Sequence, residues 1–106
     1  MKIAVIITQN NPEQVFTAMR FANFALKEGD KVSVFLAAEG VELENISDPR
    51  FDVLGQAKSF IQGGGNIQAC GSCLKLRDSD GSEVCPLSTM KEMYTIVKES
   101  DRVVTF

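Results

Sequence analysis

The chain of 106 residues contains no histidine. That absence removes the commonest general base and the commonest metal ligand. A reactive thiol here has to be activated by backbone N–H groups and by Lys or Arg. Long apolar runs are missing too: the longest, Ile3–Ile7, is far too short to span a membrane. Met1-Lys2 leads straight into that run, with no stretch long enough for a signal peptide, so a cytoplasmic protein is expected. No basic stripe is present. With a net charge of −3 and a pI near 4.9, the chain does not read as one that binds nucleic acid directly. Nor is there an internal repeat or a linker, and the length suits a single domain over residues 1–106. Cysteine is scarce and odd in number: three residues do not make a secreted disulfide scaffold.

What is present is an alternation of strand and helix patterns. Lys2–Thr8 is β-branched and apolar, as a buried central strand should be. Asn11-Pro12-Glu13-Gln14 carries a cap, a proline at the first helical position and a capping-box glutamine. The helix continues to Lys27-Glu28, with Val15, Met19, Ala22 and Leu26 on one face, and Gly29 stops it. Val32–Ala38 reads as the second strand. Glu39–Arg50 reads as a polar connection, its Glu39–Glu44 stretch as a solvated loop. A helix is expected from about Phe51 to Gln62, ended by Gly63-Gly64-Gly65, which follow a helix where a nucleotide loop would follow a strand. Asn66–Ala69 is a third strand, Asp78–Glu83 a polar turn and Cys85-Pro86 an extended piece. Thr89-Met90-Lys91-Glu92 is a second capping box, opening a helix to about Ser100. Arg102–Phe106 closes the order as a strand. Phe16, Phe21, Phe24, Met90 and Met93 read as core or subunit interface, and Tyr94 as structural.

This order implies an α/β fold with a mostly parallel sheet and helices on both faces. Three full helices and one short one cover such a sheet thinly, so subunits are expected to cover one another.

The chemistry concentrates in Cys70-Gly71-Ser72-Cys73-Leu74-Lys75-Leu76-Arg77, directly after the third strand. Ligands and chemistry collect beyond the carboxyl ends of strands in open α/β sheets. A thiol at a helix start faces unpaired N–H groups that favour thiolate. With a helix starting near Gly71 or Ser72, positions 70, 73 and 77 follow an i, i+3, i+7 spacing and share one face if the helix is regular. Gly71 lets the backbone turn sharply. Three chemistries fit these residues. One is sulfur transfer through a persulfide on Cys70. Another is dithiol redox between Cys70 and Cys73. The third is metal binding by Cys70, Cys73 and Cys85, which needs a fourth ligand such as Asp78 or Asp80. Against all three, free cysteine also serves as a small buried hydrophobe, most plausibly so for Cys85. Thr8-Gln9-Asn10-Asn11, at the end of the first strand, could border the same crevice.

The segment Ile67-Gln68-Ala69-Cys70-Gly71-Ser72-Cys73-Leu74-Lys75-Leu76-Arg77, with the capped helix and terminal strand that follow, resembles the DsrE/DsrF-like family of small sulfur-relay proteins, which includes the YchN-like group. The resemblance implies a three-layer α/β/α sandwich of Rossmann- or flavodoxin-like arrangement, assembled as trimers or hexamers. It implies a persulfide carrier or sulfurtransferase, with Cys70 as the carrier and Arg77 matching the family's downstream arginine; the C-x-x-C spacing itself adds Cys73 as a third candidate catalytic residue, and no cofactor or metal is expected. Its partners would be a protein sulfur donor and a protein acceptor, in tRNA thiolation or dissimilatory sulfur metabolism. Two positions depart from the family pattern. Cys73 stands where many relay members have a small apolar residue, and a thiol there can attack a persulfide and release sulfide. Paired arginines of some members are reduced to Arg77-Asp78. The other functions weighed are a C-x-x-C redox or metal-binding protein and a non-catalytic assembly subunit.

Overall fold

A computed structural model describes residues 1–106. Five strands form one sheet: β1 (Lys2–Ile7), β2 (Lys31–Leu36), β3 (Asn66–Cys70), β4 (Leu87–Ser88) and β5 (Arg102–Thr105). Their order is β4-β3-β2-β1-β5, and every pairing is parallel. Four α-helices connect them: α1 (Pro12–Lys27), α2 (Val53–Gln62), α3 (Gly71–Lys75) and α4 (Met90–Glu99). The chain is thus an α/β sandwich with helices on both faces of a parallel sheet.

Local signals set the helix ends. The Asn11 carboxamide accepts the Gln14 N–H at 3.1 Å, and Pro12 opens α1. Thr89 caps α4 through the Glu92 N–H at 3.2 Å. Gly29 takes the positive φ of 92° that ends α1 cheaply. The second helix begins at Val53, two residues later than the sequence pattern suggests, because Asp52 is its cap and accepts the Gly55 N–H at 3.0 Å.

Parallel pairing moves leftward from β1 to β2 to β3 and then returns from β4 to β5 beyond β1. Right-handed crossovers therefore put α1 and α2 on one face and α4 on the other. The first face is well covered. Val15, Ala18, Met19 and Ala22 of α1, with Val53, Ala57 and Phe60 of α2, are fully or almost fully buried. On the second face α4 has no buried residue at all. Phe24, Met90 and Tyr94 are exposed, so none of them belongs to the core.

Two expectations need correction. Glu39–Glu44 is not a solvated loop but part of a 3-10 helix, Ala38–Asn45, that buries Gly40, Val41 and Leu43 against the sheet's end. Its acidic residues masked the apolar ones between them. The extended piece at Cys85-Pro86 leads into a true edge strand, β4, whose Leu87 and Ser88 pair with Ala69 and Cys70.

Candidate functional site

Cys70 is the last residue of β3 and the cap of α3, with no residue between the two elements. The chain turns at Gly71, where a Cβ would lie 2.7 Å from the Ser88 carbonyl oxygen. Only glycine lets the start of α3 press this closely on β4. Cys70 shares its register and its sheet face with Ser88, whose hydroxyl donates to the Gln68 side-chain oxygen at 2.9 Å. Cys70 is 8% exposed and lines an open depression of about 820 Å³. Leu76, Leu87 and Met90 form the apolar part of its wall. Leu76 and Met90 are 83% and 67% exposed.

The two thiols of the motif differ in acidity. Burial alone would push Cys70 up. The N–H of Cys73, the Cys73 thiol and the N–H of Ser72 outweigh it and hold Cys70 below the ordinary thiol value. None of these N–H groups makes a full capping hydrogen bond to the sulfur, so the effect is that of a close, favourable field. Cys73 moves the other way. Burial raises it, and so does the hydrogen bond it gives to Cys70; the Ala38 N–H and the Arg77 charge oppose that rise. The pair therefore favours a Cys70 thiolate beside a protonated Cys73.

Ala38, the first residue of the 3-10 helix, donates its N–H to Cys73 Sγ at 3.1 Å. It does so with φ at +50°, a conformation that L-residues other than Asn and Asp rarely adopt. Nothing in the sequence marks this donor, since a backbone N–H carries no residue signature.

Arg77 acts at Cys73. The helix that was to carry it ends at Lys75, with Leu76 as its cap, and Asp78 follows with φ at +53°. The i+7 spacing therefore does not apply. The Arg77 guanidinium folds back instead, donating to the Cys73 carbonyl at 3.0 Å and to the Glu42 carboxylate at 2.7 Å. Glu42 also accepts from the Asn10 amide at 3.1 Å. These contacts hold the Glu42 carboxyl below its usual range, the Arg77 hydrogen bond contributing most. Asn10 thus borders the site through Glu42, whereas Asn11 is used as a helix cap.

Cys85 stands apart. It is fully buried, and desolvation pushes its thiol up to about 11. Asp80 pairs with Lys75 at 2.8 Å. No three Cys, Asp or Glu side chains converge as a metal site requires, and the grouping of Cys70, Cys73 and Cys85 with an aspartate does not form.

A sequence profile of the DsrE/DsrF-like family matches residues 1–106. The chain belongs to the DsrE/DsrF-like family. Among its relatives, MJ0989 of Methanocaldococcus jannaschii is 39% identical over an alignment of 114 positions that covers all of both chains. MK0008 of Methanopyrus kandleri is 37% identical over 112 positions, covering 98% of this chain and 93% of the relative. Both are named only as uncharacterised proteins. The crystal structure of the ychN protein from E. coli superposes with a TM-score of 0.85 over the whole of both chains, at 17% identity, a likeness of fold. This DsrE-like chain thus joins a family of sulfur-relay type, in the α/β architecture described above. No helix is long and apolar enough to cross a membrane.

Proposed function

We propose that this DsrE-like protein is a sulfur relay whose Cys70 accepts sulfane sulfur as a persulfide from one protein and passes it to another. The observation that carries this reading is the acidified Cys70 thiol at the strand end, opening into the depression walled by Leu76, Leu87 and Met90. In a chain without histidine, that activation comes from α3 and from Cys73. In the loading step the Cys70 thiolate attacks the outer sulfur of a donor persulfide, R–S–SH. The donor's S–S bond breaks, Cys70–S–SH forms, and R–S⁻ leaves with the electron pair. Cys73 keeps Cys70 ionised before the attack, and Arg77, tied to the Cys73 carbonyl, steadies the turn. Donor and acceptor proteins dock on the exposed apolar rim.

We also assign the α4 face to contacts between copies in a trimer or hexamer. No residue of α4 is buried, and Met90, Tyr94 and Val97 are exposed along one side of it. Light scattering at micromolar concentration should then show an oligomer; a monomer would remove this assignment.

The test of the relay is the intact mass of the protein after exposure to inorganic polysulfide and desalting. In the Cys73→Ser background, one added sulfur on the chain, lost when Cys70→Ser is added and retained when Cys85→Ser is added, is the expected result. Sulfur on Cys85, or none on any variant, refutes the reading.

A further inference from the structure

The Ala38 N–H on Cys73 has no role in loading Cys70, where Cys73 acts as a hydrogen-bond donor. It is nevertheless held by a backbone conformation that costs roughly 1–2 kcal/mol for an L-residue. We propose that this donor serves a second reaction at the same site: once Cys70 carries sulfur, Cys73 becomes the nucleophile, closes a Cys70–Cys73 disulfide and discharges the sulfur as sulfide. This rests on the relay reading of Cys70 and extends it from carriage to release.

The argument is one of changing partners. With Cys70 as a thiolate, the Cys73 proton is held between two sulfurs, and Cys73 is a poor nucleophile. Loading turns the Cys70 sulfur into a neutral, divalent atom. The negative charge moves to the outer sulfur, which can take the Cys73 proton and leave Cys73 as the thiolate. What remains around Cys73 is the Ala38 N–H at 3.1 Å and the positive charge of Arg77, both of which favour its thiolate. The same two groups that lose the contest in the unloaded site win it in the loaded one.

The step balances without an outside oxidant. The Cys73 thiolate attacks the inner sulfur of Cys70–S–SH, the S–S bond of the persulfide breaks, and HS⁻ leaves with the electron pair. A Cys70–Cys73 disulfide is left behind. A dithiol reductant then resets the pair, becoming a disulfide as it gives its two hydrogens to the cysteines. Geometry permits the closure. Cys70 is the cap of α3 and Cys73 its third residue, and the two thiols already meet in a hydrogen bond, so closing to the Cβ separation of about 3.5–4.5 Å that a disulfide needs is a small movement. Only the first turn of α3 has to tighten, and α3 is five residues long. Cys85 cannot compete, being fully buried with its thiol pushed up to about 11.

The experiment compares wild type, Cys73→Ser, Cys73→Ala and Cys85→Ser. Each is exposed to inorganic polysulfide, desalted, and followed by intact mass and by sulfide in solution. Wild type and Cys85→Ser should release about one sulfide per chain and finish two hydrogens lighter than the reduced protein. Both Cys73 variants should keep the added sulfur at least roughly tenfold longer and release little sulfide. Equal lifetimes in wild type and the Cys73 variants overturn the release step and leave the relay standing. Failure of wild type and both Cys73 variants alike to take up sulfur or release sulfide, with Cys70 still alkylated, overturns the relay and the release together.

Discussion

Cys70 and Cys85 sit at the same end of the same sheet, and the fold makes opposite use of them. Cys70 ends a strand where a helix begins; Cys85 lies inside the loop before β4, against the 3-10 helix. Both are buried, with 8% and 0% of their surface exposed. Burial raises both thiols. Only Cys70 has the compensation of Cys73 and the first turn of α3, and its acidity ends up on the other side of the ordinary value. Partial burial is therefore no guide to reactivity here. The number and sign of the polar groups facing the sulfur decide it.

The sharpest way to test that contrast is to alkylate both thiols at pH 8. A thiol with a pKa of about 11 is ionised there in only about one molecule in a thousand, whereas Cys70, held below the ordinary thiol value, is ionised in a far larger share of molecules. Cys70 should react at least about a hundredfold faster than Cys85, as read by peptide mapping. Comparable rates would erase the distinction.

A smaller effect comes from Gly71→Ala. The added methyl meets the Ser88 carbonyl oxygen, so α3 must lift from β4. We expect a loss of about 1–3 kcal/mol in denaturant unfolding. Alkylation of Cys70 should slow as its thiol loses the helix start, while Cys85 should be unaffected. A fully stable Gly71→Ala protein with unchanged Cys70 kinetics would show that the close approach is not needed.

The smallest effect belongs to the Glu42–Arg77 pair, whose side chains are about a third exposed. Glu42→Gln should cost no more than about 0.5 kcal/mol at neutral pH. The Glu42 carboxyl is held below its usual value in the fold. Its contribution is therefore complete above the ordinary carboxylate pKa and disappears as the pH falls through the lowered one. Wild type and variant should accordingly converge in stability on acidification. A gap that widens in acid would contradict the pairing.

The pattern β1, α1, β2 was legible because each boundary is written in side chains: Asn11, Pro12 and Gly29. Cys70 was legible as a strand-end thiol for the same reason, since Gly71 and the alternating polar and apolar residues of Asn66–Ala69 flank it. The strand β4 was not, because two residues carry no period. Arg77 does lie a turn beyond Cys73, but α3 ends at Lys75 and the regular face expected for positions 70, 73 and 77 does not extend to it. Val41 and Leu43 anchor the 3-10 helix but are outnumbered by Glu39, Glu42 and Glu44 in the sequence. The Ala38 donor could be found only in three dimensions.

On the relay reading Cys70 is reached by other proteins, and it lies beside the β4 rim of the sheet, where foreign strands could also attach. That rim is two residues long and is entered through Pro86, which has no N–H to offer. Polymerising chains need a longer run of unpaired backbone groups to zip along. A rim this short gives a foreign strand little to pair with beside Cys70, even in concentrated protein.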